Sequence, residues 1–131
     1  MNIGQAAELS GVTAKTIRYY ESIGLITAAP RTGGGYRSYG DNDVAFLRFI
    51  QRARGLGFSV ADVNNLLALY HDKERASADV KALAGRHVKA IDKKIAELQA
   101  IRATLGHLME KCHGDERPDC PILDDLAGLA P

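Results

Sequence analysis

The sequence predicts a mainly α protein: a winged helix-turn-helix head, one long helix with a heptad seam, and a short loop between two cysteines that leads into a final helical turn. Three observations predict it. Apolar residues recur at helical spacing in short bursts up to about residue 71, and a heptad repeat takes over from about residue 78. Cys112 and Cys120, the two cysteines of the chain, bracket a stretch rich in turn residues.

Ile3, Ala6, Ala7 and Leu9 mark a first short helix that ends at Ser10-Gly11, since glycine accepts the left-handed conformation that closes a helix. Thr13 offers its hydroxyl to the orphan amides of a second helix, from Ala14 to about Ile23. Two short helices joined by a tight glycine-containing turn read as helix-turn-helix. From Ile26 to Tyr39 the pattern changes: Pro30, the glycines at 33 to 35 and the alternation of Tyr36-Arg37-Ser38-Tyr39 predict a two-stranded wing. A helix from about Asp41 to Gly55 turns Val44, Leu47, Phe49 and Ile50 inward and leaves Arg48, Arg52 and Arg54 outside. Ser59 caps the next one, in which Val60, Val63, Leu66, Leu67 and Tyr70 recur at helical spacing until His71-Asp72.

Ala84, Val88, Ile91, Ile95, Leu98, Arg102, Leu105, Met109 and Cys112 are separated by alternating steps of four and three, and only Arg102 breaks the apolar seam. On a helix of about 50 Å, at about 1.5 Å per residue, so narrow a stripe is more than this small chain can bury by itself, which argues for a coiled coil with a second copy, a homodimer. The alternative is that the stripe packs on the head. Beyond Cys112 the chain loops through Gly114, Pro118 and Pro121, and Ile122, Leu123 and Leu126 form a short apolar turn. The expected division is a head over 1–75, a dimerisation helix over 76–111, and a loop with its terminal helix over 112–131.

At 46% apolar and 25% charged, the composition is that of an ordinary globular protein. No run approaches the roughly 18 apolar residues of a membrane span, and Met1-Asn2-Ile3-Gly4-Gln5 lacks the blocks of a signal peptide, so a cytoplasmic location with no membrane partner is expected. There, two cysteines point to thiol or metal chemistry before a disulfide framework. No nucleophile paired with a base and no phosphate loop mark an enzyme.

The net charge of +1 gives no overall signature of nucleic-acid binding, but its distribution does. Residues 1–54 carry seven Lys and Arg against four Asp and Glu, whereas residues 112–131 carry one Arg against five acids. A basic head faces a polyanion more readily than an acidic tail does. Thr13, Lys15, Thr16, Arg18 and Tyr19 sit in the first turns of the second helix, where a recognition helix reads the major groove of double-stranded DNA. Arg31, Tyr36 and Arg37 sit on the wing and Arg54 on the following helix, as phosphate contact requires. Lys15 and Arg18 are the candidates for base edges. A solvated basic face is the bland alternative, and Tyr20 and Tyr39 fit a core as well as a contact.

Two thiolates and no other placed soft ligand favour a monovalent d¹⁰ ion such as copper(I) or silver(I), because zinc normally takes four ligands. The seven residues between the cysteines, with glycine and proline among them, let the loop fold back until both sulfurs face one ion. Such a centre keeps one negative charge, whereas a divalent ion on the same sulfurs would be neutral, so charge can act as a filter. His113 offers a third ligand and a route to zinc or copper(II). An incidental disulfide or two buried thiols are the alternatives without metal, and a metal-buffering protein is the alternative outside transcription. His71, His87 and His107 are scattered along helices.

The run Ile17-Arg18-Tyr19-Tyr20-Glu21, then Gly24-Leu25-Ile26, Gly35-Tyr36-Arg37-Ser38-Tyr39 and Leu56-Gly57-Phe58-Ser59, resembles the signature of the MerR family over essentially the whole chain. Within it the chain looks most like the copper-efflux regulators, whose pattern is a cysteine at the end of the dimerisation helix, seven residues, and Cys-Pro-Ile. The resemblance implies an antiparallel coiled-coil dimer on a palindromic promoter with an overlong spacer. It further implies a metal-binding loop that holds Cu(I), Ag(I) or Au(I), and activation by DNA distortion that lets RNA polymerase engage indirectly. Family members that sense divalent ions carry a cysteine near the start of the dimerisation helix; the matching position here is Ser77, a poor ligand, and this makes it the metal-selectivity position.

Overall fold

The structure, a computed structural model, describes residues 1–27 and 38–129. Among them are six helices and no strand: α1 (Ile3–Ser10), α2 (Ala14–Ser22), α3 (Asp41–Gly55), α4 (Val60–His71), α5 (Ser77–Lys111) and α6 (Pro121–Leu126). The mainly helical expectation holds. Most of the expected wing, with Arg31, Tyr36 and Arg37, lies outside the described residues.

Each helix from α1 to α4 starts on a side chain that satisfies an otherwise orphaned amide. Asn2 Oδ1 accepts the Gln5 amide at 2.8 Å and Gln5 Oε1 accepts the Asn2 amide at 3.0 Å, a reciprocal capping box that opens α1. Thr13 and Ser59 accept the amides of Thr16 and Asp62 at 3.2 and 3.1 Å and open α2 and α4 as expected. Glycine has no side chain to offer at the start of α3, so Asp43 reaches back and accepts the Gly40 amide at 2.8 Å. Gly11 closes α1 at φ 76°, a left-handed conformation that costs glycine little, and its amide donates to the Ala7 carbonyl.

The chain divides into two compact units, Met1–Leu83 and Ala84–Pro131. In the first, α1 packs on α2 and α3, and α3 packs on α4. Ile17, Leu47, Ile50 and Val63 are fully enclosed, with Ala6, Val12, Leu25, Val44, Ala53 and Leu67 around them. Enclosing a large aliphatic side chain contributes about 1.5–3 kcal/mol, so these four residues set how α2, α3 and α4 meet. Tyr20 and Tyr39 are 6% and 3% exposed, which settles both as core residues. Tyr39 is anchored at three points: it exchanges two backbone hydrogen bonds with Met1, at 2.7 and 2.8 Å, and its hydroxyl donates to the Glu21 carboxylate. Tyr70, at helical spacing with Val63, Leu66 and Leu67, is 55% exposed in the last turn of α4, its ring 5.3 Å from that of Phe49 and 5.7 Å from that of His71.

In the second unit α5 continues without a break to Lys111. Over 35 residues the whole helix extends about 52 Å at about 1.5 Å per residue. Its seam is open within the chain: Val88, Ile91, Ile95, Leu98, Leu105 and Met109 are 40–65% exposed.

Candidate functional site

Two places carry chemistry, one in each unit. On α2, Ile17 and Tyr20 point into the core while Lys15, Arg18 and Tyr19 are exposed. Positions three and four apart share one face of a helix, so these three side chains form a single outward row. Neither Lys15 nor Arg18 forms an ion pair or side-chain hydrogen bond among the described residues. An unneutralised cationic row on the second helix of a helix-turn-helix is matched to a phosphate backbone and to the acceptors of guanine.

The two threonines divide their roles. Thr13 accepts the Thr16 amide and donates its own hydroxyl to Thr16 Oγ1 at 2.8 Å, so it holds the helix start together. The Thr16 hydroxyl accepts that bond and keeps its hydrogen for another acceptor.

Arg54 stands outside α3 as expected, yet one arm is engaged: Nη1 donates to the Phe58 carbonyl at 2.8 Å and ties the turn between α3 and α4. Four of its five donors remain. Arg48, outside α3 as expected, donates Nε to the Leu9 carbonyl at 3.0 Å and joins α3 to the last turn of α1. A basic residue satisfies a late helix carbonyl well, but no local pattern reveals a bond spanning 39 residues.

In the second unit the cysteines stand at the two ends of one loop. Cys112 follows the last residue of α5 and donates its amide to the Met109 carbonyl at 3.1 Å. Cys120 is the N-cap of α6, its carbonyl accepting the Asp124 amide at 3.0 Å, with Pro121 as the first helical residue. Both thiols are free and half-buried. Between them Gly114 takes φ 66°, and Asp115 accepts the Arg117 amide at 2.9 Å and its Nε at 2.7 Å. That pairing engages one loop carboxylate with a cation of the loop, and residues 113–119 are all exposed.

Among the described residues no group of three or more His, Cys, Asp or Glu is placed to hold a metal ion. His113 is exposed beside Cys112, and His107 lines a groove of about 650 Å³ where Ala103, Thr104, Leu108 and Lys111 of α5 face α6. His71 packs edge-on against Phe46 at 4.9 Å. Ser77 is the exposed first residue of α5. No helix among the described residues is long and apolar enough to cross a membrane.

A helix-turn-helix with an open basic row is the hallmark of a DNA-binding regulator. The sequence model for MerR HTH family regulatory proteins matches residues 1–69, and that for MerR DNA binding matches residues 44–108. The chain belongs to the MerR family. It is 58% identical over 127 residues to the heavy metal-dependent transcription regulator 2 of Rhizobium meliloti, covering 97% of this chain and 86% of that one. It is 44% identical over 128 residues to the HTH-type transcriptional regulator CueR of Yersinia pestis, covering 98% and 92%. Among solved structures, the transcription regulator PbrR691 from Ralstonia metallidurans CH34, in complex with lead(II), superposes with a TM-score of 0.83 at 30% identity, covering 96% of this chain and 98% of that one. Members of this family are DNA-binding regulators rather than enzymes.

Proposed function

We propose that the chain is a cytoplasmic, homodimeric, metal-responsive transcription regulator that senses Cu(I), with Ag(I) and Au(I) as related ions, through Cys112 and Cys120, and activates a copper-resistance promoter by distorting its DNA. The observation that carries this reading is the donor set: two free thiols at the ends of one loop, with no third ligand gathered beside them among the described residues. Two sulfurs fit a monovalent d¹⁰ ion, whereas zinc normally takes four ligands. The heavy-metal name of the Rhizobium meliloti relative supports the class of signal.

The remaining roles belong to the chain itself. Lys15 and Arg18 read base edges, while Thr16 and Tyr19 beside them, Arg54, and the wing residues Arg31, Tyr36 and Arg37 hold phosphates; Thr13 fixes the start of the helix that presents them. Cys112 and Cys120 carry the loop between α5 and α6, so bringing their sulfurs together re-seats α6 beside the last turns of α5. RNA polymerase engages the promoter through the altered DNA rather than through direct contact. Linkage requires that DNA shape and metal affinity act on each other equally.

The lead(II) complex of PbrR691 favours a second reading, a divalent signal. Ser77 separates the two: a hydroxyl is a poor ligand for a soft divalent ion, and a thiol at that position would be a good one.

The test is transcription in vitro from the cognate promoter, with free Cu(I) set by a competing chelator. Cys112→Ser and Cys120→Ser bind the promoter as the parent does and give no copper-dependent transcript. A copper response retained by either variant refutes the site.

A further inference from the structure

Arg102 is the one charged side chain in the seam from Ala84 to Cys112. Among the described residues it makes no ion pair or side-chain hydrogen bond, and neither does Asp92. A guanidinium covered by an apolar seam is costly unless an acid meets it there.

Two parallel copies in register would stack Arg102 on Arg102. An antiparallel pair avoids this, and the spacing of the seam allows three registers in which seam positions face one another. In one of them Ala84 faces Met109, Val88 faces Leu105, Ile91 faces Arg102 and Ile95 faces Leu98, so every seam residue from Ala84 to Met109 has a counterpart. A shift of one heptad sets Leu105 against Lys81 and Met109 against Ser77; the opposite shift sends Ala84 past the end of α5.

The matched register also brings an acid to Arg102. Asp92 follows Ile91 and lies on the flank of the seam toward which Arg102 leans, whereas Asp79, Glu97 and Glu110, the other acids of α5, occupy outer positions. In the two shifted registers Arg102 meets Ala84 or Leu98, and no acid flanks the seam beside either. Gly85 and Gly106 share that flank with Asp92 and leave it uncrowded, with nothing within 4 Å of where a Cβ would stand.

We propose that Arg102 pairs with Asp92 of a second copy of this chain, and that two such pairs, related by a twofold axis between Ala96 and Glu97, set the direction and register of the dimer. The inference rests on the dimer reading above. It also gives the seam selectivity: a related chain without the complementary acid would leave Arg102 covered and unpaired, so a second copy of this chain is the preferred partner.

The test is sedimentation equilibrium on the full chain. Arg102→Glu places two acid–acid contacts in its homodimer, and Asp92→Arg places two cation–cation contacts in its own. Each raises the dimer dissociation constant by at least about tenfold, because like charges facing each other across an interface are strongly unfavourable. Mixed in equal amounts, the two variants form a heterodimer with both contacts of opposite sign and with an affinity within a few-fold of the parent. A mixture no tighter than either variant alone, while the parent remains dimeric, overturns the pairing and leaves the dimer standing. A parent chain that stays monomeric throughout the micromolar range overturns the dimer reading instead. Should either reversal lower helix content by circular dichroism, a double-mutant cycle of Arg102→Gln and Asp92→Asn decides: non-additive losses support the pair, and additive losses refute it.

Discussion

The hydroxyl of Thr13 donates to the hydroxyl of Thr16 across 2.8 Å, and the same oxygen accepts the Thr16 amide. One residue is thereby structural and the other is left with a free donor. Thr13→Ala removes a helix cap and lowers unfolding stability by about 1 kcal/mol. Thr16→Ala leaves the cap amide in place, so it changes thermal stability by less and weakens promoter binding. Urea unfolding beside gel-shift titration separates the two; equal stability losses would count against this division of roles.

Lys15 and Arg18 lie on one exposed face with no side-chain partner among the described residues. Replacing a residue that contacts only phosphate weakens binding to all sequences alike and reduces the slope of log affinity against log salt by about one. Replacing a base reader costs about 1–3 kcal/mol and relaxes discrimination at one base pair. Arg18→Ala and Lys15→Ala are expected to behave in the second way on a panel of operator variants. A uniform loss across that panel, with a smaller salt slope, would reassign both to the backbone.

Ser77→Cys supplies a third soft ligand position without altering the helix that starts there. The expected outcome is a transcriptional response to a divalent ion such as zinc or lead, to which the parent is silent, with the copper response reduced. An unchanged metal profile would remove Ser77 from the selectivity argument.

Most of the head was legible because its punctuation is local. Thr13, Ser59 and Gly11 announce their helix ends within three or four residues, and the core positions of α3 and α4 follow the helical period. Tyr70 keeps the helical period and is still 55% exposed, because the period names a face and not how far packing reaches along it; its ring meets only the edge of the core at Phe49. The exposed place of Arg48 follows from the same period, but its bond does not: the Leu9 carbonyl becomes adjacent only after α1 and α3 have packed. The capping box at Asn2 and Gln5 has a local signature as well, a short polar side chain followed three residues later by glutamine, one position ahead of the first apolar residue of α1. At the thiol pair, spacing picks out both candidate residues and the loop between them, and the structure sets them at the two ends of that loop. The half-burial of both thiols, and the bond between Asp115 and Arg117, depend on how the loop folds back.

The open stripe along α5 has a thermodynamic consequence in the cell. In the proposed dimer a second copy covers the side chains from Val88 to Met109 that stay wet in a lone chain, so the order of the second unit would depend on how many copies are present and its melting temperature would rise with protein concentration. In that dimer scarcity alone would loosen the rod that carries the thiols, and the cell's supply of this polypeptide would become a second input beside the proposed ion.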